Sequence, residues 1–512
     1  MNKEKNSRKI SGICLVLGMV LIGEIVWLFW NSGIVKGLNG RADNLRIYAK
    51  ATRDDETILP GDVYDRNGTV LVQTERDADT SCVTTTYRNS MAYAQLLGFT
   101  GRHTFNPNAS STEDVIGTRN DARLLAFLDE DYWGEKGALY NTTSLDGTKG
   151  QSAILTIDDD LQNQVYQTLC NYMSPTGEIG SAVVMDVKTG AILADVCFPT
   201  YDYNDLAGAQ EKMQQDETEK NLEPGYPVTY KNPQTPGSIF KVLTAVAMLD
   251  HGMGDYTVAN TSFTMDSGWT CNAVPYHAGS LLVDYDDTLD METALNVSSN
   301  VYFAKAALEL GADGLNETAE KFMLRNDSQE LLLDFGNVRY NWDTDVSDEI
   351  LAQTGFGQGR TELTTIQAAM IMQTIANDGV LLKPYIVEKL VDADGKTVYR
   401  SDVTKLSDAT SKKTADIVTG YLRSTAEECC KLHGLETERS LFEKYGVVGK
   451  TGTAETGDAN ATTNAWYISF APEKNPRYVV VVNQCKTDHK QGYRMIPAVA
   501  EIYNYLFTTY EQ

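Results

Sequence analysis

The sequence predicts an α+β protein in which a central antiparallel sheet packs between helices. Strand-like segments occupy residues 153–157 and 181–194, helical periodicity dominates residues 238–385, and strand-like segments return between residues 445 and 483. Strands at both ends of a helical middle favour one antiparallel sheet with helices packed against it. The chain of 512 residues is long enough for about three domains.

The first element is an apolar segment near the N-terminus. Residues 1–9 carry four basic side chains and one acidic one, and residues 10–30 are apolar apart from Glu24. That length spans a bilayer as a helix and exceeds a signal-peptide core, and no A-x-A site follows it. We therefore expect a single-pass anchor with the basic tail in the cytoplasm and the remaining chain on the outer face of the cell membrane. A cleaved signal peptide is the alternative.

Residues 36–150 are polar and of mixed pattern, and they are predicted to form a small separate domain. They contain no long periodic helix. Within them, the segment Gly61-Asp62-Val63-Tyr64-Asp65-Arg66-Asn67-Gly68 places Asn-Gly where a tight turn joins two short strands.

Residues 151–512 are predicted to form the second folded domain. It opens with a strand at 153–157 and a helix at 158–172, whose first turn is acidic. Two strands at 181–185 and 191–194 flank a hairpin turn, Asp186-Val187-Lys188-Thr189-Gly190. The later elements are helices at 240–249, 289–310 and 365–377, strands at 445–448, 465–470 and 478–483, and an amphipathic closing helix at 497–510.

Composition excludes several functional classes. The formal charge is −26, from 44 basic and 70 acidic residues, so nucleic acid and anionic lipid would be repelled. Eight cysteines are too few for a disulfide scaffold, and no C-x-x-C pair or H-E-x-x-H motif is present. We expect no metal and no other cofactor.

The sequence shows no histidine that could act as the base for a nucleophilic serine. None of the five histidines lies in a nucleophile-elbow setting, and no serine lies in G-x-S-x-G. Lysine can do the same work in Ser238-Ile239-Phe240-Lys241, which follows Thr235-Pro236-Gly237. A spacing of three on a first helical turn puts the hydroxyl and the amine on one face. The free amides of the helix N-terminus favour a developing anion. To act as a base, Lys241 must be neutral near pH 7, which burial and a second cation would promote.

Two further motifs follow in the chain. Ser298-Ser299-Asn300 offers a second hydroxyl and an amide, and Gly449-Lys450-Thr451-Gly452-Thr453-Ala454 lies between strand patterns. On an edge strand, Lys450 would supply the second cation. The hydroxyls of Thr451 and Thr453 would hold a carboxylate, and Gly452 would let a substrate backbone approach. An earlier triplet, Lys188-Thr189-Gly190, precedes Ser238 and is read as an ordinary hairpin turn.

The ordered set S-x-x-K, S-x-N and K-T-G resembles the penicillin-binding proteins and serine β-lactamases. The segments 61–68, Leu155-Thr156-Ile157-Asp158, Gly355-Phe356-Gly357-Gln358-Gly359 and Ala376-Asn377-Asp378-Gly379 are similar to class B penicillin-binding proteins. The resemblance runs from about residue 55 to the C-terminus and is nearest to the compact penicillin-binding protein A group.

The resemblance implies a peptidoglycan D,D-transpeptidase that β-lactams inhibit. Ser238 would attack the D-Ala-D-Ala bond of a stem peptide and form an acyl-enzyme, which the amine of a neighbouring stem resolves. By the same resemblance, Lys241 is the base, Ser298 relays the proton, and Asn300 and Lys450 orient the lysine. The amides of Ser238 and Thr453 form the oxyanion hole.

Residues 36–150 resemble the non-catalytic pedestal of the family. In such proteins the pedestal contacts a membrane-embedded glycan polymerase of the shape, elongation, division and sporulation type. Pro60 stands where the family commonly has arginine.

Four alternatives remain beside the transpeptidase. A β-lactamase is usually a secreted single domain, and a β-lactam sensor would have several membrane spans. A non-enzymatic cell-wall scaffold would not need the intact set of Ser238, Lys241, Ser298, Asn300, Lys450 and Thr451. A D,D-carboxypeptidase differs only in using water as the acceptor, and the sequence does not separate it.

Overall fold

The computed structural model describes residues 59–76, 83–97, 149–173, 179–202, 228–273, 287–324, 346–458 and 460–511. The predicted anchor at residues 10–30 lies outside these ranges. None of the helices within them has both the length and the hydropathy of a membrane span.

The described residues alternate between strands and helices along the chain. The strands are β1 Val63–Tyr64, β2 Val70–Arg76, β3 Val83–Tyr87, β4 Ser152–Leu155, β5 Ile179–Asp186, β6 Ile192–Phe198, β7 Val258–Ala259, β8 Phe263–Thr264, β9 Thr270–Cys271, β10 Thr288–Leu289, β11 Val380–Leu382, β12 Val387–Val391, β13 Thr397–Arg400, β14 Lys405–Asp408, β15 Val448–Glu455, β16 Thr463–Ala471 and β17 Tyr478–Thr487. The helices are α1 Ser90–Leu97, α2 Asp159–Tyr172, α3 Val228–Lys231, α4 Lys241–Asp250, α5 Met291–Asn296, α6 Asn300–Lys321, α7 Asp348–Thr354, α8 Thr365–Ala376, α9 Lys412–Leu432, α10 Glu436–Tyr445 and α11 Ile496–Tyr505. Short 3₁₀ turns lie at Gly237–Ile239 and Gly492–Met495, and a π-helical turn lies at Leu506–Tyr510.

A five-stranded antiparallel sheet in the order β15-β16-β17-β5-β6 forms the centre of the fold. The register joins distant parts of the chain, because Lys450 lies opposite Ile468, Ile468 opposite Val481, Val481 opposite Val183, and Val183 opposite Asp195. β15 is an edge strand of this sheet. The prediction of an antiparallel sheet assembled from both ends of the domain is confirmed.

Helices cover both faces of this sheet. On one side, α11 reaches Ser469 of β16 through the hydroxyl of Tyr503, and on the other, α8 reaches Ser181 of β5 through Thr365. The strand register and the alternation of side chains along each strand place Ser469 and Ser181 on opposite faces. Every residue of α8 is buried, so this helix forms the centre of the core. The α+β architecture agrees with the prediction.

A second, six-stranded sheet in the order β13-β12-β4-β1-β2-β3 was not predicted. Its middle is a parallel pairing of β1 with β4, which places Val63 opposite Ala153. The predicted division between residues 36–150 and 151–512 therefore passes through a hydrogen-bonded sheet. Strands this short carry little periodicity, so their partners were not visible in the sequence.

The other predicted elements of the second domain agree with the structure, with two local corrections. The predicted helix at 289–310 is wrong as one element. It opens with a short strand, β10, and breaks between α5 and α6, where Ser298 has a left-handed φ of 54°. Residues 445–447 are not strand, because α10 continues to Tyr445 and ends at the left-handed Gly446. The closing helix agrees with the prediction, since the α-helix Ile496–Tyr505 continues directly into the π-helical turn Leu506–Tyr510.

Candidate active site

Ser238 lies on a tight 3₁₀ turn that leads into α4. The preceding Gly237 has a left-handed φ of 55°, and a Cβ there would lie 2.5 Å from the carbonyl oxygen of Thr453. A second glycine supports the turn, because Gly357 accepts a hydrogen bond from the amide of Gly237 at 2.8 Å. A Cβ on Gly357 would lie 2.0 Å from the Gly237 carbonyl oxygen. Only glycine fits at either position, and together they press the serine turn against β15.

Lys241 is fully buried one turn after Ser238. Its Nζ lies 2.9 Å from the Oγ of Ser238, so the predicted shared face is confirmed. The same amine donates to the carbonyl oxygen of Ser298 at 2.6 Å and to Oδ1 of Asn300 at 2.7 Å, and lies 3.2 Å from the Oγ of Ser298. The S-x-N segment thus supplies three of the four polar contacts of this amine.

The S-x-N segment owes its shape to the break between α5 and α6. The side chain of Ser299 caps α6 by accepting from the amide of Tyr302 at 3.1 Å. The left-handed Ser298 turns its carbonyl oxygen and its hydroxyl toward the same lysine. A non-glycine residue in this conformation is uncommon and clusters at functional sites.

Lys450 approaches from the edge strand and is also buried. Its Nζ donates to the Oγ of Ser298 at 3.0 Å and to the carbonyl oxygen of Thr451 at 3.0 Å. Ser298 therefore bridges the two lysines, and the three motifs meet in one place as the sequence predicted. No carboxylate among the described residues hydrogen-bonds with Ser238 or with either lysine.

The burial of the Lys241 and Lys450 amines next to each other determines their pKa values. Desolvation lowers the pKa of Lys241 well below its usual value, and the nearby charge of Lys450 lowers it further. Desolvation also lowers the pKa of Lys450, to about 8. Because the pKa of Lys241 is depressed by two causes, it is the amine that loses its proton first. The pair then carries one charge, on Lys450.

The β15 segment presents two different faces. Lys450 and Gly452 face the serine turn, since a Cβ on Gly452 would lie 2.7 Å from the carbonyl oxygen of Pro236. Thr451 and Thr453 alternate with them and so point to the other face. There the Oγ1 of Thr453 accepts from the amide of Gly492 at 2.9 Å. The hydroxyl hydrogen of Thr453 remains available to donate.

The hydrogen bonds of Lys241 suit a base. A neutral amine has two hydrogens and one lone pair, and the Ser298 carbonyl and Asn300 Oδ1 can only accept. These two acceptors use both hydrogens, which leaves the lone pair for the hydroxyl of Ser238 at 2.9 Å. Such an arrangement can remove the serine proton as the oxygen attacks a carbonyl carbon. Within the described residues, no group of His, Cys, Asp or Glu side chains is placed to hold a metal ion.

Residues 180–505 match the family model of the penicillin binding protein transpeptidase domain. This match spans more than half of the chain and contains all three motifs. The chain belongs to the penicillin-binding protein transpeptidase family.

Relatives of known sequence agree with the family match. The chain is 29% identical over 406 residues to the peptidoglycan D,D-transpeptidase PbpA of Mycolicibacterium smegmatis, which covers 77% of this chain and 78% of that protein. It is 27% identical over 345 residues to penicillin-binding protein 3 of Bacillus subtilis, which covers 65% of this chain and 48% of that protein.

Solved structures of the family share the fold. The penicillin G acyl-enzyme complex of penicillin-binding protein A from M. tuberculosis superposes with a TM-score of 0.69 at 22% identity, covering 88% of this chain and 100% of that one. Apo penicillin-binding protein 3 from Mycobacterium tuberculosis gives a TM-score of 0.70 at 22% identity, with 89% and 97% covered.

Two features of this transpeptidase domain escaped the sequence interpretation. The first is Gly492, whose Cβ would lie 2.3 Å from the carbonyl oxygen of Gly452 and whose amide fixes Thr453. The second is the supporting role of Gly357, although the segment around it was noted as typical of the family. The earlier Lys188 is exposed on its hairpin, where Asp186 accepts from the amides of residues 188 and 189.

Proposed function

We propose that the chain is a serine-type peptidoglycan D,D-transpeptidase in which Ser238 is acylated by the D-Ala-D-Ala end of a stem peptide. The observation that carries this proposal is the buried amine of Lys241, whose lone pair is directed at Ser238 by two acceptors. The names of the relatives, among them peptidoglycan D,D-transpeptidases, supply the reaction class.

The first step forms one bond and breaks another. Ser238 Oγ attacks the carbonyl carbon of the penultimate D-Ala while Lys241 takes the hydroxyl proton. The C–N bond then breaks, and the proton passes to the departing D-Ala amine through the hydroxyl of Ser298, which touches both lysines. The amide of Ser238 begins a 3₁₀ turn and so lacks an intrahelical partner, which suits it to hold the oxyanion together with the amide of Thr453.

The terminal carboxylate of the donor is held by β15. The hydroxyls of Thr451 and Thr453 donate to it, the charge of Lys450 attracts it, and Gly452 lets the backbone approach. A β-lactam carries a carboxylate and a strained amide in the same relation, so it acylates the same serine.

Residues 10–30 are proposed as the membrane anchor, with the catalytic domain on the outer face of the membrane. Residues 36–150 are proposed to contribute the pedestal that contacts a membrane-embedded glycan polymerase. Both parts of this proposal rest on the sequence and on the family resemblance.

The first prediction tests the nucleophile. Incubation of the full chain with benzylpenicillin should add one penicilloyl group, which intact mass detects and peptide mapping places on Ser238. The adduct should be long-lived, because no described carboxylate is positioned to activate water beside the ester. Ser238→Ala should abolish the adduct, while Ser440→Ala, on the exposed side of α10, should form it normally. An adduct on another residue would refute the assignment.

A further inference from the structure

A polar cleft lies away from Ser238, at a junction of several elements. These are the turn between β1 and β2, the start of α2, the end of β5, the start of β17, and the end of α11 with its π-helical turn. The volume of the cleft is about 570 Å³, which is within the usual range of small-ligand sites. We call it the tyrosine cleft and define it by Arg66, Asp158, Asp186, Arg477, Tyr505 and Tyr510.

The tyrosine cleft and the serine site lie toward opposite ends of the central sheet. Asp186 of the cleft is the last residue of β5, and it pairs with Tyr478 at the start of β17. Through the register of the sheet, Thr453 of the serine site lies in the same row as Gly180, near the start of β5. The distance from Gly180 to Asp186 along the strand is about 20 Å, at about 3.3 Å per residue. A small ligand in the cleft therefore cannot reach the acyl group on Ser238.

Hydrogen bonds join the walls of the tyrosine cleft to one another. The carboxylate of Asp65 holds the turn between β1 and β2 by accepting from the amide of Asn67 at 2.9 Å. The side chain of Asn67 donates to Asp158 Oδ2 at 2.7 Å, which joins this turn to the start of α2. The guanidinium of Arg66 donates to the hydroxyl of Tyr510 at 2.9 Å, which joins the same turn to the π-helical turn. A preformed site of this kind loses little conformational entropy when it binds a ligand.

Tyrosines give the cleft ring surfaces and hydroxyl groups. Tyr505 and Tyr510 line the cleft and are half-buried. The hydroxyl of Tyr510 accepts from Arg66 and keeps its own hydrogen to donate to a ligand. The ring of Tyr478 lies 6.1 Å from that of Tyr510, and the guanidinium of Arg477 lies 5.2 Å from the centroid of Tyr478. The cleft thus combines ring faces with planar polar groups.

The charged side chains that line the cleft have both signs. They are carboxylates and guanidinium groups, from Asp158, Asp160, Asp186, Glu511, Arg66 and Arg477. A ligand that carries one sign of charge is repelled by part of this lining. A neutral ligand with hydroxyl groups can instead donate to the carboxylates and accept from the guanidinium groups. Its C–H groups can pack on the tyrosine rings. A ligand that has all of these properties is a sugar.

We propose that the tyrosine cleft binds a neutral sugar unit of the glycan strand to which the stem peptides are attached. The choice of the glycan strand rests on the proposed function, whereas the sugar chemistry rests on the cleft itself. A strand held at the cleft would keep its stem peptides near Ser238 and so raise their effective concentration at the serine site. The binding is noncovalent, so no bond is formed or broken.

The experiment measures the affinity of the full chain for chitotetraose by isothermal titration calorimetry. Chitotetraose is a neutral oligomer of β-1,4-linked N-acetylglucosamine, and it has no stem peptide and no D-Ala. The titration is done before and after acylation of Ser238 by benzylpenicillin, which fills the serine site. The dissociation constant should be the same in both titrations, because the cleft lies about 20 Å along the strands from that site.

Tyr510→Ala should raise the dissociation constant by about three- to tenfold, as expected for the loss of one ring contact. Tyr510→Phe keeps the ring and should retain most of the affinity. Arg66→Gln changes an exposed side chain, should weaken binding by a similar factor, and gives a second test if Tyr510→Ala is unstable. Tyr172→Ala is the matched control, since Tyr172 is an exposed tyrosine at the end of α2 and does not line the cleft. All of these variants should react with a fluorescent penicillin at the unmodified rate, which shows that each one is folded.

Three results would overturn the sugar site while leaving the proposed function intact. In the first, chitotetraose does not bind at concentrations up to about 10 mM. In the second, neither Tyr510→Ala nor Arg66→Gln changes the affinity, which would place the sugar outside the cleft. In the third, binding is lost on acylation, which would assign the sugar to the serine site. Failure of the proposed function shows separately, as the absence of a penicilloyl adduct on Ser238 in the unmodified chain.

Discussion

Lys241 and Lys450 are chemically identical side chains that the fold distinguishes by their neighbours. Both are buried, yet only Lys241 has its hydrogens directed at two acceptors that cannot donate in return. Lys450 keeps a hydroxyl and a carbonyl as partners, and its pKa of about 8 leaves it charged at neutral pH. Lys241 can therefore act as a base, because the positive charge on Lys450 keeps the amine of Lys241 neutral.

The second prediction concerns this pair. Lys450→Ala removes the charge that lowers the pKa of Lys241, so the pKa of Lys241 rises and less of it is neutral at pH 7. Acylation by a fluorescent penicillin should slow by about a hundredfold, a usual loss for acid–base and electrostatic contributions. The rising limb of the pH–rate profile should move to higher pH. In the unmodified chain the rate should fall again above about pH 8, where Lys450 loses its proton.

Lys188→Ala is the matched control, because Lys188 also precedes Thr-Gly but lies exposed on a hairpin. Its loss should change the free energy of unfolding by less than about 0.5 kcal/mol and leave the acylation rate nearly intact. A slower rate for Lys188→Ala than for Lys450→Ala would show that the active site uses the Lys188 triplet and not the Lys450 triplet.

The third prediction concerns Asp195, a carboxylate buried in β6. Its Oδ2 has no hydrogen-bond partner among the described residues, and burial raises its pKa from 3.8 to about 7. A carboxyl whose folded pKa is raised costs nothing below pH 4, and the cost grows as pH rises and is complete above pH 7. Asp195→Asn should therefore increase the free energy of unfolding at pH 8 by up to about 4 kcal/mol.

The same Asp195→Asn substitution should leave the stability at pH 4 nearly unchanged, since the carboxyl is then neutral in the folded chain. Denaturant unfolding at the two pH values measures the difference. Asp402→Asn, at an exposed site, should show no such pH dependence. Equal effects of Asp195→Asn at both pH values would show that Asp195 is not held neutral by burial.

At the scale of elements, the serine turn depends on the segment before α8. The fourth prediction is that Gly357→Ala will slow acylation at least tenfold and destabilise the fold, because its φ of 80° and a Cβ 2.0 Å from the Gly237 carbonyl both force the turn away from β15. Gly420→Ala is the control. It lies within α9 with no atom near the added Cβ, so it should stabilise the fold by about 0.5–1 kcal/mol and retain acylation.

The sequence predicted regular elements better than the joints between them. α2 and α8 were predicted to within a residue because caps mark their ends, at Asp158 and Thr364. The break between α5 and α6 was missed because apolar periodicity continues across it, while a single left-handed residue changes the direction of the chain. Residues 445–447 were assigned to a strand because a helix end rich in aromatic residues resembles one locally.

The polar residues of the candidate site and Gly452 were predicted, whereas the roles of Gly357 and Gly492 were missed. Ser238, Lys241, Ser298, Asn300 and Lys450 carry motifs with fixed spacing, and the structure brings all five together. Gly492 carries no motif, and its importance comes from contacts with Gly452 and Thr453, about forty residues earlier in the chain. Contacts of that kind exist only once the sheet has formed.

At the scale of the whole molecule, residues on both sides of the predicted boundary at 150 depend on each other. The buried carboxylate of Asp159 accepts from Arg88 at 2.8 Å, from Asn89 at 3.0 Å and from the hydroxyl of Tyr93 at 3.0 Å. These bonds add to the parallel pairing of β1 with β4. The catalytic part of the chain therefore uses residues 60–76 and 83–97 as part of its own structure.

The fifth prediction follows from this dependence. A chain that begins at residue 151 should lose the partners of β4 and Asp159, and it should unfold at a temperature at least about 5 °C lower than a chain that begins at residue 60. Thermal unfolding followed by circular dichroism measures both. Equal midpoints would show that residues 60–97 contribute nothing to the stability of the catalytic part.

Among the described residues, β15 lies at an edge of its sheet, and this position has a consequence for what a transpeptidase can recognise. A ligand that pairs with a strand edge is held through its own amides and carbonyls, which are the same for every L- or D-residue. Such recognition tolerates variation among side chains, yet it requires an extended backbone with its N–H groups intact. Donors in which an ester or an N-methyl group replaces a backbone amide next to the reacting bond should therefore lose affinity, even when every side chain is kept.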